Sequence, residues 1–228
     1  MTCGVFKGRE ISPMLRITGL AMAASLYLAG MAVAQDEPPP TPAEITAAHT
    51  EADRIIVADN AADVFENATT SDLVVVRHRS SGLLCHFIGD QGLDRLTVIP
   101  SGPETGERRG NDVACSTFIG DIELTLYITR YADDHSAEED TQLAVDAIAD
   151  RFTDLKPHPD DLPILSGPDG EPSWAAFDVT AGGRDLMTFV ATTKIGGWMV
   201  KVRASGPVED ADHVSTLATL LVMRAQPD

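Results

Sequence analysis

The sequence predicts an α+β domain, an antiparallel sheet of about seven or eight strands with an N-terminal, a middle and a C-terminal helix packed on it. Three observations point there. Apolar residues recur at helical spacing over 42–58, 137–154 and 210–223. Between those segments lie short runs rich in β-branched and aromatic residues, several of them alternating with polar ones. Short turns containing Gly and Ser join many of the runs, too short for the crossover that parallel strands require, so neighbours pair antiparallel.

Residues 1–34 read as an export segment rather than part of the fold. Lys7, Arg9 and Arg16 precede the apolar run "GLAMAASLYLAGMAVA", and small residues at its end suit cleavage after Ala34. The run is shorter than the roughly 20 residues a spanning helix needs, so a retained anchor is the lesser alternative. Met14 offers a second possible start, because the segment from there is already a complete signal. No cysteine follows the run, which argues against a lipoprotein. Residues 35–41, Pro-rich and acidic, form a linker, and 42–228 form a single α+β domain.

In the first helix, Thr41 is placed to cap, Pro42 sits at the first helical position and Glu44 at the third. Ile45, Ala48, Ala52, Ile55 and Ile56 follow at helical spacing. Val64 and Phe65 then enter the core through a short turn. "DLVVVRHR" and "LLCHFIG" are strands joined by Ser80-Ser81-Gly82, and "LDRLTVIP" is a further strand. After the polar loop "GPETGERRGND", the strands "DVACSTFIG" and "IELTLYITRY" meet at Gly120-Asp121. Ser136 and Glu139 make a second capping box, for a helix of residues 137–154 with Leu143, Ile148 and Phe152 inward. Pro157 ends the helical pattern. "WAAFDVT", "RDLMTFVATTK" and "WMVKVRASG" are strands, the last two joined by Gly196-Gly197. An Asp-capped helix over 210–223, with Val214, Leu217, Leu220 and Leu221 inward, closes the chain.

This order of elements, with "KIGGWMVKVRASGP" before the last helix, resembles the α/β/α sandwich of the Mog1/PsbP-like families across residues 42–224. "FENATT", "RHRSSGLLCHF" and "GGWMVKVR" are also similar to segments of uncharacterised exported bacterial proteins. The resemblance implies a fold and brings no catalytic residues with it.

The chain carries 17 basic and 35 acidic residues, a net charge of −18. Losing residues 1–34 removes three cations and one acid, making it more acidic still. Such a chain repels nucleic acid and anionic membranes, and no later segment is apolar enough for stable membrane insertion. Periplasmic or secreted placement follows from the signal. Cys3 leaves with it, so Cys85 and Cys115 remain as the pair expected to form a disulfide in an oxidising compartment. That bond would stabilise the fold by roughly 3 kcal/mol. Two buried free thiols, or a metal or redox site with His78 and His86, are the alternatives. Strand alternation turns Leu83, Cys85 and Phe87 one way and His86 the other, which disfavours convergent ligands.

Catalytic and cofactor motifs are absent: no G-x-S-x-G, H-E-x-x-H, P-loop or G-x-G-x-x-G. His49, His135, His158 and His213 lack metal-ligand spacing, and "DDHSAEED" reads as an acidic helix start rather than a calcium loop. No catalytic residue, metal or cofactor is assigned. Cations are unevenly distributed: Arg77, Arg79, Arg95, Arg108, Arg109, Arg130, Arg184, Lys194, Lys201 and Arg203 all fall in strand-rich stretches. Alternation in the last hairpin puts Phe189, Ala191, Trp198, Val200 and Val202 on one face, and Lys194, Met199, Lys201 and Arg203 on the other. Arg77, Arg79, Lys194, Lys201 and Arg203 are therefore the candidate contacts for a cell-envelope protein or a small anionic ligand. The leading expectation is a non-enzymatic accessory or binding protein. A carrier of a small apolar ligand and an enzyme without recognisable motif are the alternatives. Thiol titration of the denatured, unreduced exported protein is expected to find no free thiol, and two reactive thiols per chain would remove the disulfide.

Overall fold

Helix α1 (Pro42–Ala58) forms as its caps require: the Thr41 hydroxyl accepts from the Glu44 amide, and the Glu44 carboxylate accepts from the Thr41 amide at 2.7 Å. Its buried side chains are Ala48, Ala52, Ile55 and Ile56. A computed structural model describes residues 38–88, 92–159, 161–167 and 170–226. The export segment, Cys3, Met14 and linker residues 35–37 lie outside the described residues. Residues Pro39–Asp228 make one compact unit.

Among the described residues ten strands follow α1 and fall into two sheets. The smaller contains β1 (Phe65–Asn67), β2 (Val74–His78) and β3 (Leu84–Phe87), in that order. The larger contains β4 (Arg95–Val98), β5 (Asp112–Ile119), β6 (Ile122–Thr129), β7 (Lys156–Pro157), β8 (Ser173–Ala181), β9 (Arg184–Ile195) and β10 (Trp198–Pro207). Its order is β4-β5-β6-β10-β9-β8-β7, all antiparallel. Helix α2 (Ala137–Arg151) leaves the large sheet after β6 and returns to it at β7. A 3-10 turn (Val208–Asp210) leads from β10 into α3 (Ala211–Arg224).

The α+β class holds, but the single sheet becomes two. The β2–β3 hairpin does not extend the large sheet, because its free edge is already used: the Leu84 amide donates to the Ala225 carbonyl at the end of α3, at 2.8 Å. The hairpin's buried face, Val74, Val76, Leu83, Cys85 and Phe87, instead joins the main core. Cys85 and Cys115 form a disulfide, with Cα atoms 6.2 Å apart, that ties β3 to β5 and so joins the two sheets. Among the described residues no helix is long and apolar enough to cross a membrane.

Each face of the large sheet has a different cover. The inner face presents Leu96, Val113, Leu124, Ile128, Val200, Val202 and Phe189 to α1, α3 and the small sheet. Gly206 brings α3 close, since a Cβ there would stand 2.8 Å from Val214 and 3.0 Å from Ile122. On the outer face α2 packs over β8, β9 and the margin of β10.

Three local expectations change. Leu143 is exposed, and α2 turns Asp140, Thr141, Ala144 and Ile148 inward instead. At 100° per residue Leu143 stands about 140° around the helix from Ile148, so both cannot face the sheet. The helix ends at Arg151 rather than 154, because Phe152 leaves helical geometry (φ −124°, ψ 127°) to pack near Ile148 and Val190. Asp210 ends the 3-10 turn and makes no side-chain capping bond to α3.

The free edge of β4 is blunted where the Asp59 carboxylate accepts from the Leu96 amide at 2.6 Å.

His78 sits fully buried where the small sheet meets the start of β10. Its ring lies edge-on to Trp198, centroids 5.0 Å apart, and tilted against Phe65 at 5.5 Å. Nδ1 is 2.8 Å from the Ser81 hydroxyl. Gly110 (φ +89°) covers it closely, and a Cβ there would press on Val64 at 3.1 Å. Burial pushes the imidazole down to about 4, partly offset by the Gly110 backbone and reinforced by the Arg108 charge. The unfolded chain, with a histidine near 6.5, then binds more protons than the fold between those two values. Stability is therefore expected to fall as pH drops from about 6.5 to 4, by up to about 3 kcal/mol. Denaturant unfolding across that range should show a shallower slope in His78→Gln; an unchanged slope would place the titration elsewhere.

Candidate functional site

Register assigns every residue of the large sheet to a face. In the last hairpin Trp198, Val200 and Val202 are buried on the inner side, and Met199, Lys201 and Arg203 occupy the outer one. The sequence-derived candidates are not gathered there as one group. Arg77 and Arg79 belong to β2 and its turn, and both bond the Glu66 carboxylate, at 3.3 and 2.8 Å. Lys194 bonds exposed Asp134 at 2.5 Å and holds that carboxyl below its ordinary range. Such half-exposed pairs contribute little to stability.

Lys201 has a different role from that expected of an exposed cation. Its side chain is only 17% exposed, and it meets Asp140, 1% exposed, from the first turn of α2. The ammonium donates to Oδ1 at 3.2 Å and lies 3.1 Å from Oδ2, the second contact being electrostatic rather than a hydrogen bond. Tyr131 donates its hydroxyl to the same Oδ1. Burial and the Asp140 carboxylate together raise the Tyr131 phenol above its ordinary value. Nearby Asp112 is also raised by burial, against the Thr129 hydroxyl at 2.8 Å and the Lys201 charge. The Lys201 ammonium also lies 5.6 Å over the Tyr127 ring. This network pins α2 to the β10 margin, and Thr141 bonding the Ser173 carbonyl at 3.3 Å pins it to β8.

The rest of the outer face, over β4, β5 and β6, carries no helix among the described residues. Arg95 is opposite Ser116, Ser116 opposite Thr125, and Thr125 opposite Arg203, so four adjacent strands present one polar row. The next row runs Thr97, Ala114, Tyr127, Lys201. Ser116 and Thr125 share a hydroxyl bond of 3.0 Å, and Ser205 and Thr188 one of 3.2 Å. Arg95 donates only to the Asp94 and Gly92 carbonyls, and Arg203 bonds no described residue. Neither guanidinium has a carboxylate partner among the described residues. Glu123, opposite Ser205, is the acid on this face closest to Arg203 in register.

Arg95 is one of the strand cations in the sequence, but it is not among the five candidate contacts. Alternation in "DRLTVI" would have turned it outward with Thr97. Its alignment with Arg203 depends on β4-β5-β6-β10 adjacency, which no local pattern encodes.

Three other concave sites offer less. Open depressions of about 260 and 470 Å3 share Asp178 and Val208. There His158 Nδ1 lies 2.6 Å from Asp178, but among the described residues the linings contain no serine or cysteine, and the Thr180 hydroxyl is bonded to Asp185. An apolar cleft lined by Leu165, Ile195 and Val222 has about 10 Å3, room for about one water. His86 faces away from Cys85, and its Nε2 is 2.9 Å from the Arg224 carbonyl. His78 shares the Cys85 face. No group of three or more metal-ligating side chains converges among the described residues.

No family model and no curated protein matches the chain. It is similar in structure to a Pseudomonas aeruginosa protein of unknown function, 14% identical, covering 68% of this chain and 97% of that one, with a TM-score of 0.32, too low to bear on function.

Lys201→Ala is expected to destabilise the protein by about 3 kcal/mol, because it strands the buried Asp140 charge. Arg203→Ala should stay within about 0.5 kcal/mol. Parallel urea unfolding of the two variants checks this, and equal losses would contradict the division between the pinned and the free cation.

Proposed function

We propose that the protein is an exported, non-enzymatic accessory or binding protein, cleaved after Ala34 and acting in the periplasm or outside the cell. It contacts an anionic ligand or an acidic envelope partner through the half of the outer sheet face that α2 leaves uncovered. One observation carries this reading: Arg95 and Arg203 stand on that face without carboxylate partners among the described residues, in a chain of net charge −18. An acidic protein has carboxylates in excess, so an unpaired guanidinium on a flat polar face is the group left for a partner. Arg77, Arg79 and Lys194, in weak exposed pairs, can exchange their carboxylates for a partner's. Export is supported by the basic and apolar N-terminus and by the disulfide, which suits an oxidising compartment.

The test is isolation of the native protein from its own cell envelope, with bound material identified by mass spectrometry. The Arg95→Glu/Arg203→Glu variant is expected to lose an anionic or acidic companion that the wild type retains. Equal recovery by both proteins would contradict the reading.

A further inference from the structure

Resting on that reading of the face, we infer that its occupant is a linear acidic polysaccharide, a chain of sugars carrying carboxylates at intervals. Arg95 and Arg203 would each take a carboxylate, and the hydroxyls between them would meet the sugar hydroxyls. Four features of the face support this choice.

The first is direction. The row Arg95, Ser116, Thr125, Arg203 crosses β4, β5, β6 and β10, so the two arginine Cα atoms are three strand spacings apart, about 14 Å. A ligand bridging them runs across the strands. The backbone groups of β5 and β6 are taken by neighbours on both sides, so an extended peptide gains no main-chain pairing there.

The second is the chemistry between the guanidinium groups. The half-exposed Ser116–Thr125 pair, which lies between them, uses one hydroxyl hydrogen and keeps a second donor and several lone pairs. Flanking hydroxyls with a guanidinium fork at each end match a polymer bearing both hydroxyls and carboxylates.

The third is the kind of apolar surface beside the row. No large hydrophobic of β4, β5, β6 or β10 is fully exposed as a protruding anchor of the sort that protein interfaces bury at their centre. Phe118 and Tyr127 are half-buried on this face and present ring surface rather than a protruding side chain.

The fourth is charge density. A net charge of −18, with Glu123 on the same face, repels a dense polyanion such as polyphosphate. Carboxylates separated by neutral sugar surface suffer less of that repulsion.

The experiment is affinity electrophoresis of the native exported protein through gels containing sodium polygalacturonate, dextran, polyglutamate or polyphosphate. Polygalacturonate is expected to retard the protein, dextran to leave it unaffected, and added salt to weaken the retardation. Arg95→Gln/Arg203→Gln should weaken it about tenfold or more, while its urea midpoint stays that of the wild type. Absence of retardation by polygalacturonate would overturn the inference, as would equal retardation by polyglutamate or polyphosphate. Retardation that persists in the folded double variant would overturn the assignment to these arginines. If envelope capture depends on Arg95 and Arg203 but polygalacturonate does not bind, the binding face stands and the polysaccharide falls. If neither responds to the substitutions, both fall.

Discussion

The contact between Asp140 and Lys201 decides how the outer face of the large sheet is divided. An aspartate in the first turn of a helix is ordinarily solvated, where it complements the helix dipole. Here it is turned inward, and a lysine from the middle of β10 meets it with Tyr131 donating to the same oxygen. A buried pair of this kind adds little net stability over an apolar alternative, but breaking it is costly. It therefore acts as a register mark, placing the start of α2 at the β10 margin. The apolar contacts of Ala144 and Ile148 with Val190 then draw the rest of the helix over β9 and β8. One helix of this length covers half of a seven-stranded sheet, and the other half keeps its polar side chains.

The opposite face is built on a different constraint. The small sheet cannot join the large one, because its edge is taken by the end of α3, so it lies against the core and is held there by covalent and aromatic contacts. The Cys85–Cys115 bond ties β3 to β5, and His78 wedges between Phe65 and Trp198. Together these give the domain a sealed apolar side. The two faces thus divide the labour: one is closed for stability, and the other stays half open and polar.

Much of this was legible from local pattern. The α1 boundaries, both capping boxes, the Gly120-Asp121 and Gly196-Gly197 turns and the inward placement of Cys85 all follow from rules acting over a few residues. What local pattern could not supply was adjacency. "VRHRSSGLLCHF" reads as a hairpin, but nothing in it says that the hairpin forms its own sheet. Lys201 and Arg203 have the same alternation phase, yet one is tied under α2 and the other is free, because only the first meets Asp140, distant in sequence. The inward face of α2 escapes local pattern for a related reason. Leu143 is the more hydrophobic choice, and the polar Asp140 contact outweighs it.

Arginine-selective covalent labelling, read by mass spectrometry, tests the central claim most directly. In the isolated protein Arg95 and Arg203 should react readily. On addition of the protein's own cell-envelope material both should become protected, while Arg109, engaged with Asp63 at 2.8 Å, keeps its reactivity. Protection confined to other arginines, or no protection at all, would contradict the account of the uncovered half-face as the binding surface.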